Sequence, residues 1–211
     1  DGGPVVVTEF DSTRYPEAFR QFPHPLTLTM EFRLEGATLH KTAILTNKGD
    51  EPFPWGFGYH TTFNFPFRPG GDAAKCRFSV GVSRQWLLTE RFLPTGEMRE
   101  TALCAALNDG VDLTQYSLDD VFEGRPSADG TNDAVLTDED AGIRVVYRCA
   151  GPFRHWVLYN GNGKEGYISP EPYTWVTNAP NLKLPPELTG VRVLEPGAEC
   201  RIHSTISVTD L

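Results

Sequence analysis

The sequence is poor in the features that mark several large functional classes. No apolar run approaches the roughly 20 residues of a membrane-spanning helix, and no secretory leader opens the chain. Basic residues are scattered without a polybasic run, and the net charge is −9. A phosphate backbone or an anionic membrane surface selects the opposite sign, so neither nucleic acid nor membrane is an expected partner. The four cysteines, Cys76, Cys104, Cys149 and Cys200, lie far apart. No Cys-x-x-Cys or Cys-x-His spacing occurs, which speaks against zinc and thioredoxin-like chemistry. A chain of this length does not need disulfides, so the cysteines read as buried free thiols in a reduced, soluble, cytoplasmic protein. Internal repeats and low-complexity tracts are also missing. Long helices are disfavoured by 20 glycines and 17 prolines among 211 residues, a composition suited to many turns between short strands.

What is there is mostly strand. Residues 26–34 alternate strictly, with Leu26, Leu28, Met30, Phe32 and Leu34 on one face, the period of a strand with one side buried. Glu35-Gly36-Ala37 reads as a turn into a second strand, Thr38 to Asn47, and Asn47-Lys48-Gly49-Asp50 as the next turn. Further strands are expected over 5–10, 77–82, 143–149, 153–160, 191–194 and 200–208. Short helical turns are expected over 16–22, where Pro16 suits a first helical position, and over 101–107. The polar stretch 123–133 reads as a surface loop. The expected architecture is all-β: antiparallel sheets packed face to face as one domain over residues 1–211.

Two segments more than a hundred residues apart carry the chemistry. Gly58-Tyr59-His60-Thr61-Thr62-Phe63-Asn64-Phe65 sets a histidine among aromatics, and Ser169-Pro170-Glu171-Pro172-Tyr173-Thr174-Trp175 sets a carboxylate between two prolines. Histidine titrates near neutrality, and a carboxylate in a half-apolar pocket is pushed toward it, so the two suit general acid and general base on one small polar substrate. The bland reading of each is a satisfied core histidine and a solvated glutamate in a Pro-rich turn. Tyr173 and Trp175 suit the flat faces of a sugar ring but equally suit a core. Asn178-Ala179-Pro180-Asn181 offers side-chain amides for a loop or for hydroxyls. Of the adjacent Asp119 and Asp120, at least one should face water, and no metal is implied because no further ligand lies at suitable spacing. His24, His40, His155 and His203 carry no signal above a structural reading.

These residues resemble a known family. His60-Thr61-Thr62-Phe63-Asn64 is similar to the His-x-x-Phe-Asn stretch of the aldose 1-epimerases (galactose mutarotases). Pro94-Thr95-Gly96-Glu97 resembles that family's Pro-Thr-Gly-Glu turn, and Asp119-Asp120-Val121-Phe122 its Asp-x-x-Phe motif. Glu171 with Asn178-Ala179-Pro180-Asn181 resembles its terminal Glu…Asn-Ala-x-Asn segment, and Glu195-Pro196-Gly197 the turn before its last strand. The motifs occur in the family's order over roughly the C-terminal two-thirds of the chain. The resemblance implies a β-supersandwich and cofactor-free interconversion of the α and β anomers of a hexose. It makes Glu171 the base, His60 the acid, and Asp119, with Asp120 as the alternative, a holder of sugar hydroxyls. It implies a monosaccharide as substrate and a monomer or homodimer as the working form.

The departure is at the front. Family members are longer and carry an N-terminal Arg and a further active-site His. No counterpart precedes Val5, and His24 is a poor substitute. The sequence starts Asp1-Gly2-Gly3-Pro4 without methionine, so the expectation is a fragment lacking N-terminal strands and exposing sheet edges. Two other functions fit the same residues. One is a non-catalytic carbohydrate binder that uses Trp55, Tyr173 and Trp175 as platforms. The other is action on a hexose 6-phosphate, which would need Arg84, Arg91, Arg125 and Arg154 to converge.

Overall fold

The computed structural model describes residues 3–211. Its strands are, in chain order, β1 (Val5–Asp11), β2 (Leu26–Glu35), β3 (Thr38–Asn47), β4 (Phe53–Trp55), β5 (Phe63–Asn64), β6 (Cys76–Val80), β7 (Val82–Leu88) and β8 (Pro94–Arg99). They continue with β9 (Val111–Asp112), β10 (Asp119–Gly124), β11 (Asn132–Asp138), β12 (Ile143–Cys149), β13 (His155–Tyr159), β14 (Tyr167–Tyr173), β15 (Arg192–Leu194) and β16 (Glu199–Asp210). Three short helices, α1 (Pro16–Gln21), α2 (Ala102–Asp109) and α3 (Pro186–Thr189), sit between strands. No described helix is long and apolar enough to cross a membrane.

The strands form an eight-stranded sheet in the order β1-β2-β3-β16-β12-β11-β6-β9 and a six-stranded sheet in the order β5-β14-β13-β10-β7-β8, with β15 and β4 paired separately. Named pairings are antiparallel throughout, so side chains alternate between two faces along each strand. Ala43, Phe78, Ala134, Leu136, Tyr147 and Ile202 of the larger sheet meet Phe122, Trp156, Leu158 and Ile168 of the smaller one in the main core. Burying an aromatic or branched aliphatic side chain of this kind stabilises by about 1.5–3 kcal/mol. The opposite face of the six-stranded sheet carries a smaller apolar cluster, Trp86, Val121, Val176 and Ala179, with Val157 and Trp175 against it. The smaller sheet is therefore covered on parts of both faces. That is why β14, buried at five consecutive positions from Ile168 to Pro172, shows no alternation in its sequence.

Several expectations need correction. Residues 77–82 are not one strand: the chain breaks at Gly81 between β6 and β7, where a Cβ would come 2.8 Å from the Arg125 carbonyl. The Pro94-Thr95-Gly96-Glu97 stretch lies on β8, and the hairpin turn precedes it, with Phe92 at φ 58°. Leu26 is buried, but Leu34 at the other end of β2 is 44% exposed, beside exposed Val5, Val6 and Val7 on the edge strand β1. The four cysteines are free thiols, three of them buried.

Candidate active site

The expected pair, His60 and Glu171, is brought together by an interrupted ladder. At one end Gly58 bridges Tyr173, and Thr174 donates its N–H to the Phe57 carbonyl at 2.8 Å. At the other end Phe63 pairs with Ile168 and Asn64 with Tyr167. Both ends share one register, so His60 falls opposite Glu171 and Thr62 opposite Ser169. Between them Pro170 and Pro172 have no N–H to give, so the ladder is interrupted there, and the Tyr59 N–H donates to the Pro172 carbonyl at 3.3 Å. Glu171 therefore sits within a strand, not in the Pro-rich turn expected from its neighbours. Two glycines let the His60 segment approach this closely. A Cβ at Gly58 would lie 2.5 Å from the Tyr173 ring, and one at Gly56 would lie 2.0 Å from the Trp175 indole.

The result is a His60 Nε2 to Glu171 Oε1 distance of 3.1 Å, with the histidine side chain 71% exposed and the glutamate side chain 4% exposed. Tyr173 donates its hydroxyl to Glu171 Oε2 at 2.9 Å. Burial, opposed by the Tyr173 hydrogen bond and the nearby imidazole, leaves the Glu171 carboxyl titrating above the ordinary glutamate range, and the Asp119 charge adds to the rise. Burial and the adjoining carboxylate push the Tyr173 phenol up in turn, so it stays a donor. The arrangement is a buried carboxylate of raised proton affinity, oriented by Tyr173 and facing an exposed histidine.

Asp119 lies in the row Asp119–Tyr159–Ser169, one row from Val121–Val157–Glu171 and on the same face. It is exposed, whereas Asp120 is half-buried and accepts a hydrogen bond from Gln85 Nε2 at 2.7 Å. Asn160 sets the entry to this strand: its Oδ1 accepts the Leu118 N–H at 2.8 Å and its Nδ2 donates to the Tyr116 carbonyl at 3.0 Å. Asn160 carried no signal in the sequence beyond being an asparagine at a strand end.

The remaining expected site residues divide. Tyr173 belongs to the pair, but through its bond to Glu171 and its packing on Gly58. Trp175 packs over Gly56 and lines an apolar groove of about 280 Å³ with Phe10, Phe53 and Trp55. Asn178 adopts φ 63° in the turn after β14, and its Oδ1 accepts from Asn181 Nδ2 at 2.6 Å, so it shapes that loop. Of the four arginines considered for a phosphate, Arg84 is held by Glu123 through two bonds of 2.8 Å, and Arg154 donates to the Glu187 carbonyl.

A model of the aldose 1-epimerase family matches residues 5–207, a longer stretch than the C-terminal two-thirds suggested by the motifs. Among solved structures, the chain is similar to a galactose mutarotase-like protein from Clostridium acetobutylicum, with 27% identity and a TM-score of 0.90. That match covers 98% of this chain, which spans only 63% of the relative's length. A galactose mutarotase-like protein from Lactobacillus casei is 16% identical with a TM-score of 0.75, covering 99% of this chain and 72% of that one. A galactose mutarotase related enzyme from Lactobacillus acidophilus is 16% identical with a TM-score of 0.73, covering 98% and 67%. These two share the fold. With the family match running almost end to end, the chain belongs to the aldose 1-epimerase family.

Proposed function

We propose that the chain is a mutarotase, interconverting the α and β anomers of a free hexose by general acid and base catalysis. The observation that carries this reading is the 3.1 Å contact between a buried carboxylate with raised proton affinity and an exposed histidine. Glu171, held by Tyr173, takes the proton of the anomeric hydroxyl, while protonated His60 delivers its proton to the ring oxygen. The C1–O5 bond breaks, leaving an open-chain aldehyde, a protonated Glu171 and a neutral His60. Rotation about C1–C2 presents the other carbonyl face. His60 then takes back the O5 proton as O5 attacks, and Glu171 returns its proton to O1. The two groups end as they began, and two proton carriers suffice for every step. Asp119, exposed one row away, accepts hydrogen bonds from sugar hydroxyls on this reading, which its exposure and register support. The buried thiols suit a reducing compartment such as the cytoplasm.

The test is anomer exchange followed by proton NMR on glucose, galactose and glucose 6-phosphate. Exchange above the buffer rate on a free hexose is expected, falling by about 10²–10⁴-fold in Glu171→Gln. With Arg84 engaged by Glu123, no advantage is expected for the phosphorylated sugar. Sugar binding unchanged by Glu171→Gln, with no acceleration by the folded wild type, would make the protein a non-catalytic carbohydrate binder.

A further inference from the structure

Behind the His60–Glu171 pair lies a polar cluster that the proton transfers do not use. Lys41 on β3 points between the sheets, in phase with Ala43 and Leu45, and is 4% exposed. A buried ammonium is ordinarily paired with a carboxylate. Here the partners are neutral: Nζ donates to the Tyr147 hydroxyl at 2.8 Å and to Thr61 Oγ1 at 3.3 Å. It also lies 3.6 Å from the centre of the Tyr59 ring and 4.5 Å from that of Tyr147, where the ring faces attract a cation.

The bond to Thr61 falls where the backbone cannot hold itself. Thr61 lies opposite Pro170 in the interrupted ladder between the Gly58–Tyr173 bridge and the Phe63–Ile168 pair. Side chains replace the missing bonds on both faces. On the outer face Thr62 and Ser169 share a hydrogen bond of 2.7 Å, and on the inner face Thr61 meets Lys41 and Tyr147. His60 directly precedes these two anchors, between them and the Gly58–Tyr173 bridge. Its side chain is too exposed for packing to fix its direction, so the direction must come from its neighbours.

We propose that Lys41 is a positioning residue: its buried ammonium grips Thr61 from inside the sandwich and so aims His60 at Glu171. Lys41 touches no substrate, and the proposal rests on the acid–base reading of that pair. The grip depends on the proton. An ammonium has three hydrogens for the Tyr147 oxygen, the Thr61 oxygen and the Tyr59 ring; a neutral amine has two. The groups facing it are Tyr59, Tyr147 and Cys149 of β12, and Ser204, its register partner on β16. Burial holds both phenols and the thiol far above their ordinary range, while it pulls Lys41 down to about 8. Of this set, Lys41 alone changes charge near neutrality.

The test uses the whole chain with Lys41→Met and Thr61→Val, singly and together. Each single variant is expected to lower kcat for anomer exchange by about 10–100-fold with KM little changed, since a displacement near 1 Å costs on that order. The double variant is expected to be no slower than the slower single, because both changes cut one tether. Losses that multiply, or a lowered Tm with kcat unchanged, would overturn the proposal. A second readout needs no catalysis. The 15N resonances of the His60 imidazole are expected to differ between wild type and Lys41→Met at neutral pH. In the wild type and in Thr61→Val the pH dependence is compared around pH 8, where the wild type alone should show a step as Lys41 deprotonates. A His60 signal indifferent to both substitutions would sink the tether whether or not the chain exchanges sugars. An intact tether in a chain that exchanges none would sink only the mutarotase reading.

Discussion

The six-stranded sheet carries two histidine–glutamate neighbourhoods on one face, and the same two residue types behave oppositely in them. In the row Glu123–His155–Tyr173, the carboxylate is gripped by the Arg84 guanidinium and by Ser83. Those bonds, led by Arg84, hold the Glu123 carboxyl below its usual range despite partial burial. His155 is 2% exposed, neither ring nitrogen has a protein partner, and burial depresses it to about 4. One row along, Glu171 is buried with no guanidinium and titrates high, and His60 is open to solvent. A cation beside a carboxylate locks it as an anion; desolvation without one keeps it ready to take a proton. Proximity of a histidine to a glutamate is therefore not the signature of a proton-transfer site. What sets the His60–Glu171 pair apart is a carboxylate whose burial is uncompensated and a histidine whose burial is incomplete.

The largest expected effect lies on the locked side. His155 has a folded pKa of about 4 against an ordinary value of 6.5, so the unfolded chain binds the extra proton first. Stability should fall by about 3 kcal/mol as the pH drops from 6.5 to 4. Urea unfolding over that range reads the loss, and it should shrink in His155→Phe. A flat profile in both proteins would remove the contrast between the two histidines. Next comes Glu123→Gln, which strips Arg84 of its partner and should cost about 1–3 kcal/mol near neutral pH. Because the Glu123 pKa is depressed, that deficit should fade as the pH falls through the carboxylate range. Tyr173→Phe sharpens the other side. Its hydroxyl bond lowers the Glu171 pKa, so removing it should move the acid limb of the kcat/KM profile to higher pH and cost about tenfold at neutrality. The smallest effect has the opposite sign. A raised carboxylate pKa gives stability that is present at acid pH and lost as the pH climbs through it, so Glu171→Gln should melt slightly higher than wild type at neutral pH and no higher in acid. A lower melting temperature at neutral pH would mean that Glu171 is structural.

The legible parts of the sequence were those where one period governs both burial and pairing. Thr38–Asn47 and Ile143–Cys149 form strands over the very residues expected, because each has one face in the main core. Strands covered on both faces or cut short are not visible in the sequence, and neither is β11, whose burial alternates but whose inward positions include the polar Asn132 and Asp138. β14 shows five buried positions in a row, two of them proline, and reads as a turn; β4 and β5 are too short for any period to emerge. His60 and Glu171 stand out in the sequence by residue chemistry and by ordered motifs. Their juxtaposition was not visible, since it depends on a register set at Gly58 and Phe63. The glycines at 56 and 58 held the clue: they mark a close backbone approach that a pair of aromatics completes. Lys41 was legible in principle, as a lysine in phase with Ala43 and Leu45, but its partners lie on other strands. The expected platform role of Trp175 competes with its packing over Gly56, which no pattern in its own segment announces.

The most direct measurement compares anomer exchange rates for wild type, Glu171→Gln and Glu123→Gln on the same free hexose at neutral pH. Acceleration by the wild type is expected, with a loss of about 10²–10⁴-fold in Glu171→Gln and near wild-type turnover per folded molecule in Glu123→Gln. Equal rates for wild type and Glu171→Gln, or a comparable loss in folded Glu123→Gln, would contradict that expectation.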